Sequence, residues 1–323
     1  MLSSENIYLL GAGFTKAACP KAPLNKDLLG AIITNGGEKL LEYRERYKSD
    51  DIERLLTQID LDSLADEQIK KDRDLKINDE ISAFFSGLRF PVLDGNIPSW
   101  LKTFSKEILK QNDSIISLNY DCLLEGVLDK LEVWTPNDGY TTHIVYIPTD
   151  SILSNPKNIT IYKIHGSENF VESKRAGENP NQTGIGFIIN ESIYPRSGEN
   201  SHLGGGIIDP RTYIVAPSFV KIPHKAIAEM MLDLLDIVRK AKRLAIIGCG
   251  MRPEDSFLWL LLTRFLNISQ DNRKKLIILG PSSEEIRKRV SNYWVGDIRR
   301  FADLSVIPCG LESGIESLVS AIA

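Results

Sequence analysis

Short apolar strands alternate with amphipathic segments along most of this 323-residue chain. Most of the apolar runs lack period-two alternation, which is typical of strands covered by helices on both faces. Seven strands are predicted: Asn6–Leu10, Ser114–Leu118, Ile159–Ile164, Tyr213–Ala216, Arg243–Ile247, Leu276–Leu279 and Leu304–Ile307. Helices are predicted between several of them, at Lys225–Lys242, Asp255–Asn267, Ser283–Asn292 and Glu312–Ile322. This alternation predicts an α/β fold with a doubly wound, mainly parallel sheet.

Two stretches interrupt the alternation. The segment from Leu24 to Lys110 is charged and helix-prone, which predicts a helical insertion after the first strand and its helix. The segment from Gly166 to Arg211 is rich in glycine, asparagine, serine and proline, a composition that favours a small irregular lobe. Neither stretch is expected to have a core of its own, so residues 1–323 are predicted to form a single domain.

Composition and charge narrow the class of protein. A net charge of −4 and the lack of a long basic stripe disfavour direct binding of nucleic acid. The four cysteines have no paired spacing, so reduced thiols are expected and structural zinc is not. No signal-peptide pattern is visible, and the longest apolar stretch, Phe257 to Leu262, is too short to span a bilayer. A cytoplasmic protein without membrane attachment is therefore expected.

A glycine turn follows the first strand. The run Gly11-Ala12-Gly13 leads into a helix that begins near Phe14 and Thr15. Glycines let a diphosphate approach the backbone, and free N–H groups at a helix start attract its charge. The third glycine of the dinucleotide fingerprint is missing, since Lys16 stands in its place. A tight strand–helix turn without a ligand is the alternative.

Reactive side chains come directly after the second and third strands. Asn119 and Asp121 follow the strand at Ser114–Leu118, and His165 follows the next one. Carboxyl ends of parallel strands share one edge of the sheet, where doubly wound folds bind ligands. A histidine at that edge can act as acid or base near neutral pH. The alternatives are a helix N-cap for Asp121, a turn former for Asn119 and a structural role for His165.

A second glycine turn, Gly248-Cys249-Gly250, follows the strand at Arg243–Ile247, and Asp255 comes a few residues later. This turn is a candidate contact for a ribose or a phosphate. For Asp255 the alternative is a helix N-cap, with Glu254 complementing the helix dipole. The run Gly280-Pro281-Ser282 after the following strand is a weaker candidate for the adenosine end of the same ligand.

The order of these elements resembles that of the sirtuin superfamily over residues 6–290: G-A-G, then N-x-D, then H-G, then G-x-G with a downstream acid. The sequences NYDCLLEGVL and IVAPSFVK are more similar to bacterial sirtuin-like proteins of anti-phage defence. The resemblance implies a Rossmann-like lobe that binds NAD as a substrate; no metal is expected, because the cysteines lack paired spacing. It also implies that Asn119 and His165 are a catalytic pair, while Asp121 faces the nicotinamide. The residues expected to bind NAD are Gly11, Ala12, Gly13, Phe14, Thr15, Asn119, Asp121, His165, Gly248, Gly250 and Asp255.

Three departures from the sirtuin pattern change the expected reaction. Leu118 replaces the glutamine of the family's T-Q-N-I-D motif. The segment CPKAPLNKDLL lacks the arginine that follows the glycine turn in protein deacetylases, and the four zinc cysteines of the small lobe are missing. These departures disfavour a groove for protein substrates and favour water as the acceptor. The expected activity is that of an NAD glycohydrolase, which depletes NAD in anti-phage defence.

Two other functions remain open: a non-catalytic subunit that binds NAD or ADP-ribose in a defence complex, and an NAD-dependent protein deacylase. The presence of both Asn119 and His165 favours an enzyme over the non-catalytic subunit. By resemblance, control is expected from oligomerisation or from a partner such as a HerA-like ATPase or an Argonaute-type protein. A homo-oligomer is also expected because four apolar residues of the insertion exceed what one lobe can bury; they are Ile81, Phe84, Phe85 and Leu88.

Overall fold

Ten strands form two sheets in the described part of the chain. The computed structural model describes residues 5–88, 90, 95, 97–135, 139–146, 159–173, 184–187, 211–215, 217–219, 223–253, 255–266, 274–293 and 302–322. The strands are β1 Asn6–Leu10, β2 Ser114–Ser117, β3 Ile144–Tyr146, β4 Thr160–Lys163, β5 Gly166–Ser173, β6 Gly184–Phe187, β7 Arg211–Ile214, β8 Arg243–Ile247, β9 Lys274–Leu279 and β10 Ala302–Ile307.

Helices connect and cover these strands. The α-helices span Ala12–Ala18, Asn25–Thr34, Glu38–Tyr47, Ile52–Asp62, Glu67–Lys71, Asn78–Gly87, Ser99–Thr103, Leu123–Lys130, Lys225–Lys240, Ser256–Leu266, Ser283–Tyr293 and Leu311–Ile322. One π-helical turn, Asp72–Ile77, joins two helices, and a second, Phe104–Ile108, extends the helix Ser99–Thr103 towards β2. Among the described residues, none of these helices combines the length and apolar character needed to cross a membrane.

The larger sheet has six parallel strands in the order β10-β9-β8-β1-β2-β4. The chain starts in the middle at β1, runs outward to β4, and returns beside β1 to continue through β8 to β10. This is the order of a doubly wound α/β fold, and it confirms the predicted class. All residues of β1 and β2 are buried, which explains their unbroken apolar runs. The strand order reverses between β1 and β8, where such folds bind ligands.

The smaller sheet has the order β3-β6-β5-β7, with β5 antiparallel to both of its neighbours. The strand predicted at Tyr213–Ala216 belongs here, as β7, and not to the parallel sheet. Gly166 turns the chain out of the parallel sheet after β4, with φ +76° and no room for a Cβ beside the Tyr213 carbonyl. The predicted small lobe therefore contains regular strands, although its residues 174–183 and 188–210 lie outside the described ones.

The predicted insertion is helical and, contrary to expectation, has a hydrophobic core of its own. Its helices between Asn25 and Gly87 bury their apolar faces on one another in a separate cluster, whereas Trp100, Leu101 and Phe104 at its end belong to the main core. The members of the separate cluster are Leu28, Leu29, Ile32, Leu40, Tyr43, Ile52, Leu55, Leu56, Ile59, Ile69, Ile77, Ile81, Phe84 and Phe85, joined by Tyr120 and Ile214. The residues expected to drive oligomerisation are thus buried within the chain, with Leu88 packed against the same cluster. Homo-oligomerisation stays a prediction, but these side chains do not support it.

Candidate active site at the carboxyl edge of the parallel sheet

A cavity of about 720 Å³ lies over the carboxyl ends of the parallel strands. Its volume falls within the range of roughly 300–1,000 Å³ that is usual for small-molecule sites. A residue that follows each strand lines it: Gly11 after β1, Asn119 after β2, His165 after β4, Gly248 after β8, Gly280 after β9 and Gly310 after β10. The helical insertion lines the cavity as well, with Leu24, Asn25, Glu53 and Phe85 among the lining residues.

Every predicted site residue except Phe14 lines this cavity. The ring of Phe14 packs edge-on against Trp100 and Phe104 in the main core. Its backbone N–H donates to the Gly11 carbonyl at 2.9 Å. Phe14 therefore fixes the helix that follows β1, and neither its ring nor its amide is available to a ligand.

The two glycine turns pack directly against each other. The Gly11 N–H donates to the Ile247 carbonyl at 3.1 Å, and the Gly13 N–H donates to the Gly248 carbonyl at 2.9 Å. A Cβ on Gly11 would lie 2.7 Å from Cys249 Cα, and one on Gly13 would lie 2.8 Å from the Gly248 carbonyl oxygen. The glycines are thus required by the contact between the turns. Two amides expected to hold a diphosphate already donate to carbonyl groups.

Asn119 presents a carbonyl oxygen to the cavity. Its Nδ2 donates to the Gly11 carbonyl at 3.1 Å and to Thr15 Oγ1 at 3.0 Å, which uses both hydrogens of the amide. No described residue bonds to its Oδ1. The fold therefore fixes the carboxamide with its acceptor side free for a ligand or a water molecule.

Asp121 lies one residue before Cys122, the N-cap of the helix Leu123–Lys130, and supports the start of that helix. Its Oδ1 accepts the Leu123 N–H at 3.1 Å, and its Oδ2 accepts the Thr15 hydroxyl at 3.0 Å. Burial raises the pKa of this carboxyl above its usual value. The Asp121 carboxylate binds the Thr15 hydroxyl, and that hydroxyl accepts a bond from the Asn119 amide. Asp121 therefore supports the position of Asn119.

The segment that carries His165 is hydrogen-bonded to the segment that carries Asn119. Lys163 Nζ donates to the Asp121 carbonyl at 2.5 Å. The Tyr120 carbonyl accepts bonds from Ser167 Oγ at 3.2 Å and from the Glu168 N–H at 2.8 Å. The Cys122 N–H donates to the Glu168 carboxylate at 3.0 Å. Burial is the largest cause that raises the pKa of Glu168 to about 7, and the charge of Asp121 adds to it. These contacts fix the two strand ends relative to each other.

Lys163 is an inaccessible lysine that sequence reasoning missed. Its Nζ lies 3.0 Å from Glu125 Oε1, and the Glu125 side chain is only 1% exposed. Burial is the largest single influence and lowers the pKa of Lys163, but the surrounding groups, led by the Glu125 carboxylate and including Asp121, together outweigh it, so the net pKa is raised. The available signal was a lysine inside the apolar run ITIYKIHG, because a charge in a covered strand needs a partner.

His165 is paired with Asp255 across the cavity edge. Its Nε2 lies 3.4 Å from Asp255 Oδ2, and each of the two side chains is 12% exposed. The imidazole also lies beside the Tyr120 ring, with 6.4 Å between the centroids. The sequence predicted both residues at one sheet edge, but it gave no sign that they would pair.

The insertion is bonded to the loops on the other side of the cavity. Arg252 Nη1 lies 2.5 Å from Glu53 Oε2, and the Phe219 N–H donates to Thr57 Oγ1 at 2.8 Å. Ser218 Oγ also lies 3.3 Å from the Thr57 hydroxyl. No sequence pattern indicated these pairs, because they join segments far apart in the chain.

The described residues of the site show no arrangement of metal ligands. Within the described ranges, no group of three or more histidine, cysteine, aspartate or glutamate side chains is placed to hold a metal ion. Cys19, Cys122 and Cys249 are buried free thiols, and Cys309 is partly buried. The lack of structural zinc stays a prediction.

The fold is similar to that of solved Sir2 homologues over nearly the whole chain. A Sir2 homologue in complex with NAD gives a TM-score of 0.48 at 14% identity, covering 99% of this chain and 90% of that one. A variant Sir2 homologue in complex with ADP-ribose gives 0.46 at 13% identity, covering 99% and 92%. No protein-family model matches the sequence, and no curated protein matches it either. Identities this low leave the chemistry of the cavity to be inferred from its own side chains.

Proposed function

We propose that this chain is an NAD glycohydrolase, which splits NAD into nicotinamide and ADP-ribose. The observation that carries the proposal is the convergence of Asn119 and His165 on one cavity beside the reversal point between β1 and β8. Doubly wound folds bind dinucleotides at this point. Asn119 supplies a free acceptor, and His165 supplies an acid–base group held by Asp255.

The reaction places different demands on these two residues. As the bond between nicotinamide and ribose breaks, its electron pair moves to the pyridinium nitrogen, and positive charge grows on the ribose carbon. A water oxygen forms the new bond to that carbon. Asn119 Oδ1 accepts a hydrogen bond from the water or from a ribose hydroxyl and so positions it. His165 takes the proton that the water loses.

The diphosphate of NAD is assigned to the start of the helix Ala12–Ala18, although fewer amides are free there than the glycine pattern predicts. Lys16 lines the cavity and favours an anionic ligand there, whereas the charge of Arg252 is paired with Glu53. Asp121 and Thr15 hold this helix start in place beneath the ligand.

Water is proposed as the acceptor because the insertion closes over the cavity. The pairs Glu53–Arg252 and Thr57–Ser218 cross from the insertion to the opposite loops. A protein substrate would have to displace them, whereas water would not. Together with the motif resemblance, this arrangement favours an NAD-depleting role in anti-phage defence in the cytoplasm, controlled by self-association or by a HerA-like or Argonaute-type partner.

The deciding experiment is NAD turnover by the purified chain, alone and co-expressed with its genomic neighbours. Nicotinamide is expected to be released without any acetylated peptide. Release only when the peptide is present would identify a deacylase. Binding of ADP-ribose without release under any condition would identify a non-catalytic subunit.

Gly250→Val is expected to weaken the binding of NAD and ADP-ribose by about tenfold or more, because the valine occupies ligand space. Gly250 lines the cavity, and a Cβ there meets no atom within 4 Å, so the fold is expected to tolerate the change. Gly11→Val is the contrasting variant, since its side chain collides with Cys249 and is expected to lower the thermal midpoint. Calorimetric binding and thermal unfolding of both variants test this. Wild-type affinity in Gly250→Val would place the ligand elsewhere.

A further inference from the structure

We propose that Asp255 is a positioning residue, which holds the imidazole of His165 in its reactive orientation. The inference rests on the proposed function, because the orientation of His165 matters only if the cavity is catalytic. The two residues follow different strands, and only the fold brings Nε2 and Oδ2 to 3.4 Å. Both lie in the wall of the cavity at low exposure, where an electrostatic interaction is weakly screened.

The loop that carries Asp255 is held from both sides. The Asp255 N–H donates to the Arg252 carbonyl at 3.2 Å, and Trp259 Nε1 donates to the same carbonyl at 2.9 Å. The guanidinium of Arg252 is in turn bound by Glu53 of the insertion. The carboxylate is therefore preorganised and needs little rearrangement during the reaction.

A carboxylate beside one ring nitrogen has a defined effect on a histidine. It fixes the rotation of the ring and stabilises the imidazolium that forms when the histidine takes a proton. Tyr120 packs along the ring but offers no charge of this kind, since burial raises the pKa of its hydroxyl far above neutrality. Asp255 is thus the charged residue suited to orient the His165 ring, because Glu53 and Arg252 are paired with each other.

The competing explanation is that Asp255 only begins the helix Ser256–Leu266. The Asp255 carbonyl does accept the Leu258 N–H at 3.1 Å. Asparagine, however, caps helices about as well as aspartate does. Asp255→Asn therefore keeps the size and the capping ability and removes only the charge.

Asp255→Asn is expected to lower kcat for NAD cleavage by about tenfold or more and to leave KM and ADP-ribose affinity unchanged. The double variant His165→Ala/Asp255→Asn is expected to be no slower than His165→Ala alone, because Asp255 acts only through His165. Asp255→Glu is expected to recover part of the rate. Asp66→Asn, the same change at an exposed helix cap whose side chain accepts two backbone N–H groups, is expected to have no effect.

The nitrogen NMR signals of the His165 ring, recorded without NAD, provide a readout that needs no activity. Asp255→Asn is expected to shift them, and Asp66→Asn is not. Wild-type kcat in Asp255→Asn, a further loss on the His165→Ala background, or unchanged ring signals would each overturn the proposal. A wild-type chain that never cleaves NAD, yet shows the shifted signals, would refute the glycohydrolase and still support the pairing.

Discussion

His165→Ala is expected to lower the rate of NAD cleavage by about 10²- to 10⁴-fold, the usual contribution of a general acid–base group. The side chain lines the cavity and is paired with Asp255, whereas the hydrogen bonds that join the two glycine turns are made by other residues. Binding of ADP-ribose is therefore expected to stay close to that of the wild type. The measurement is nicotinamide release under activating conditions, together with calorimetric binding of ADP-ribose.

His143→Ala is the matched control for this variant. His143 is also paired with an acid, at 2.9 Å from Asp233, but it does not line the cavity. Its removal is expected to leave turnover unchanged. Near-normal turnover in His165→Ala would show that another group takes the proton.

Asn119→Ala is expected to impair both the chemical step and the structure of the site. The variant loses the acceptor that positions the water or the ribose, and it also loses the bonds to the Gly11 carbonyl and Thr15. Both turnover and ligand affinity are therefore expected to fall. The loss of affinity distinguishes it from His165→Ala.

The sequence predicted the sheet edge well, because strand ends are visible as local patterns. Short, mainly apolar runs ended just before Gly11, Asn119, His165 and Gly248, and a parallel sheet brings such ends to one edge. This reasoning needs only the order of the strands. It placed every candidate except Phe14 at the cavity.

Long-range pairing could not be predicted in the same way. Whether Asp255 meets His165, or Glu53 meets Arg252, depends on loop paths that no local pattern records. The glycine turns show a related limit. Spacing cannot distinguish a glycine with open space beside it, as at Gly250, from one packed against another turn, as at Gly11.

Lys163→Met is expected to lower the free energy of unfolding by about 3–5 kcal/mol, because it leaves Glu125 as a buried charge without its partner. Chemical denaturation measured by two independent probes tests this. Lys242→Met is the control, since Lys242 pairs with Glu5 at the surface and its loss is expected to change stability little. Stability equal to that of the wild type in Lys163→Met would show that the buried pair is not ionised.

The double variant Lys163→Met/Glu125→Leu separates stability from the positioning of the site. Replacing both partners removes the buried charges, so most of the lost stability is expected to return. The bond from Lys163 Nζ to the Asp121 carbonyl does not return, and the turn that carries Asn119 is held less firmly. Turnover of the double variant is therefore expected to stay below that of the wild type at equal stability. Full recovery of both stability and turnover would show that Lys163 acts only as the charge partner of Glu125 and does not help to hold Asn119 and His165 together.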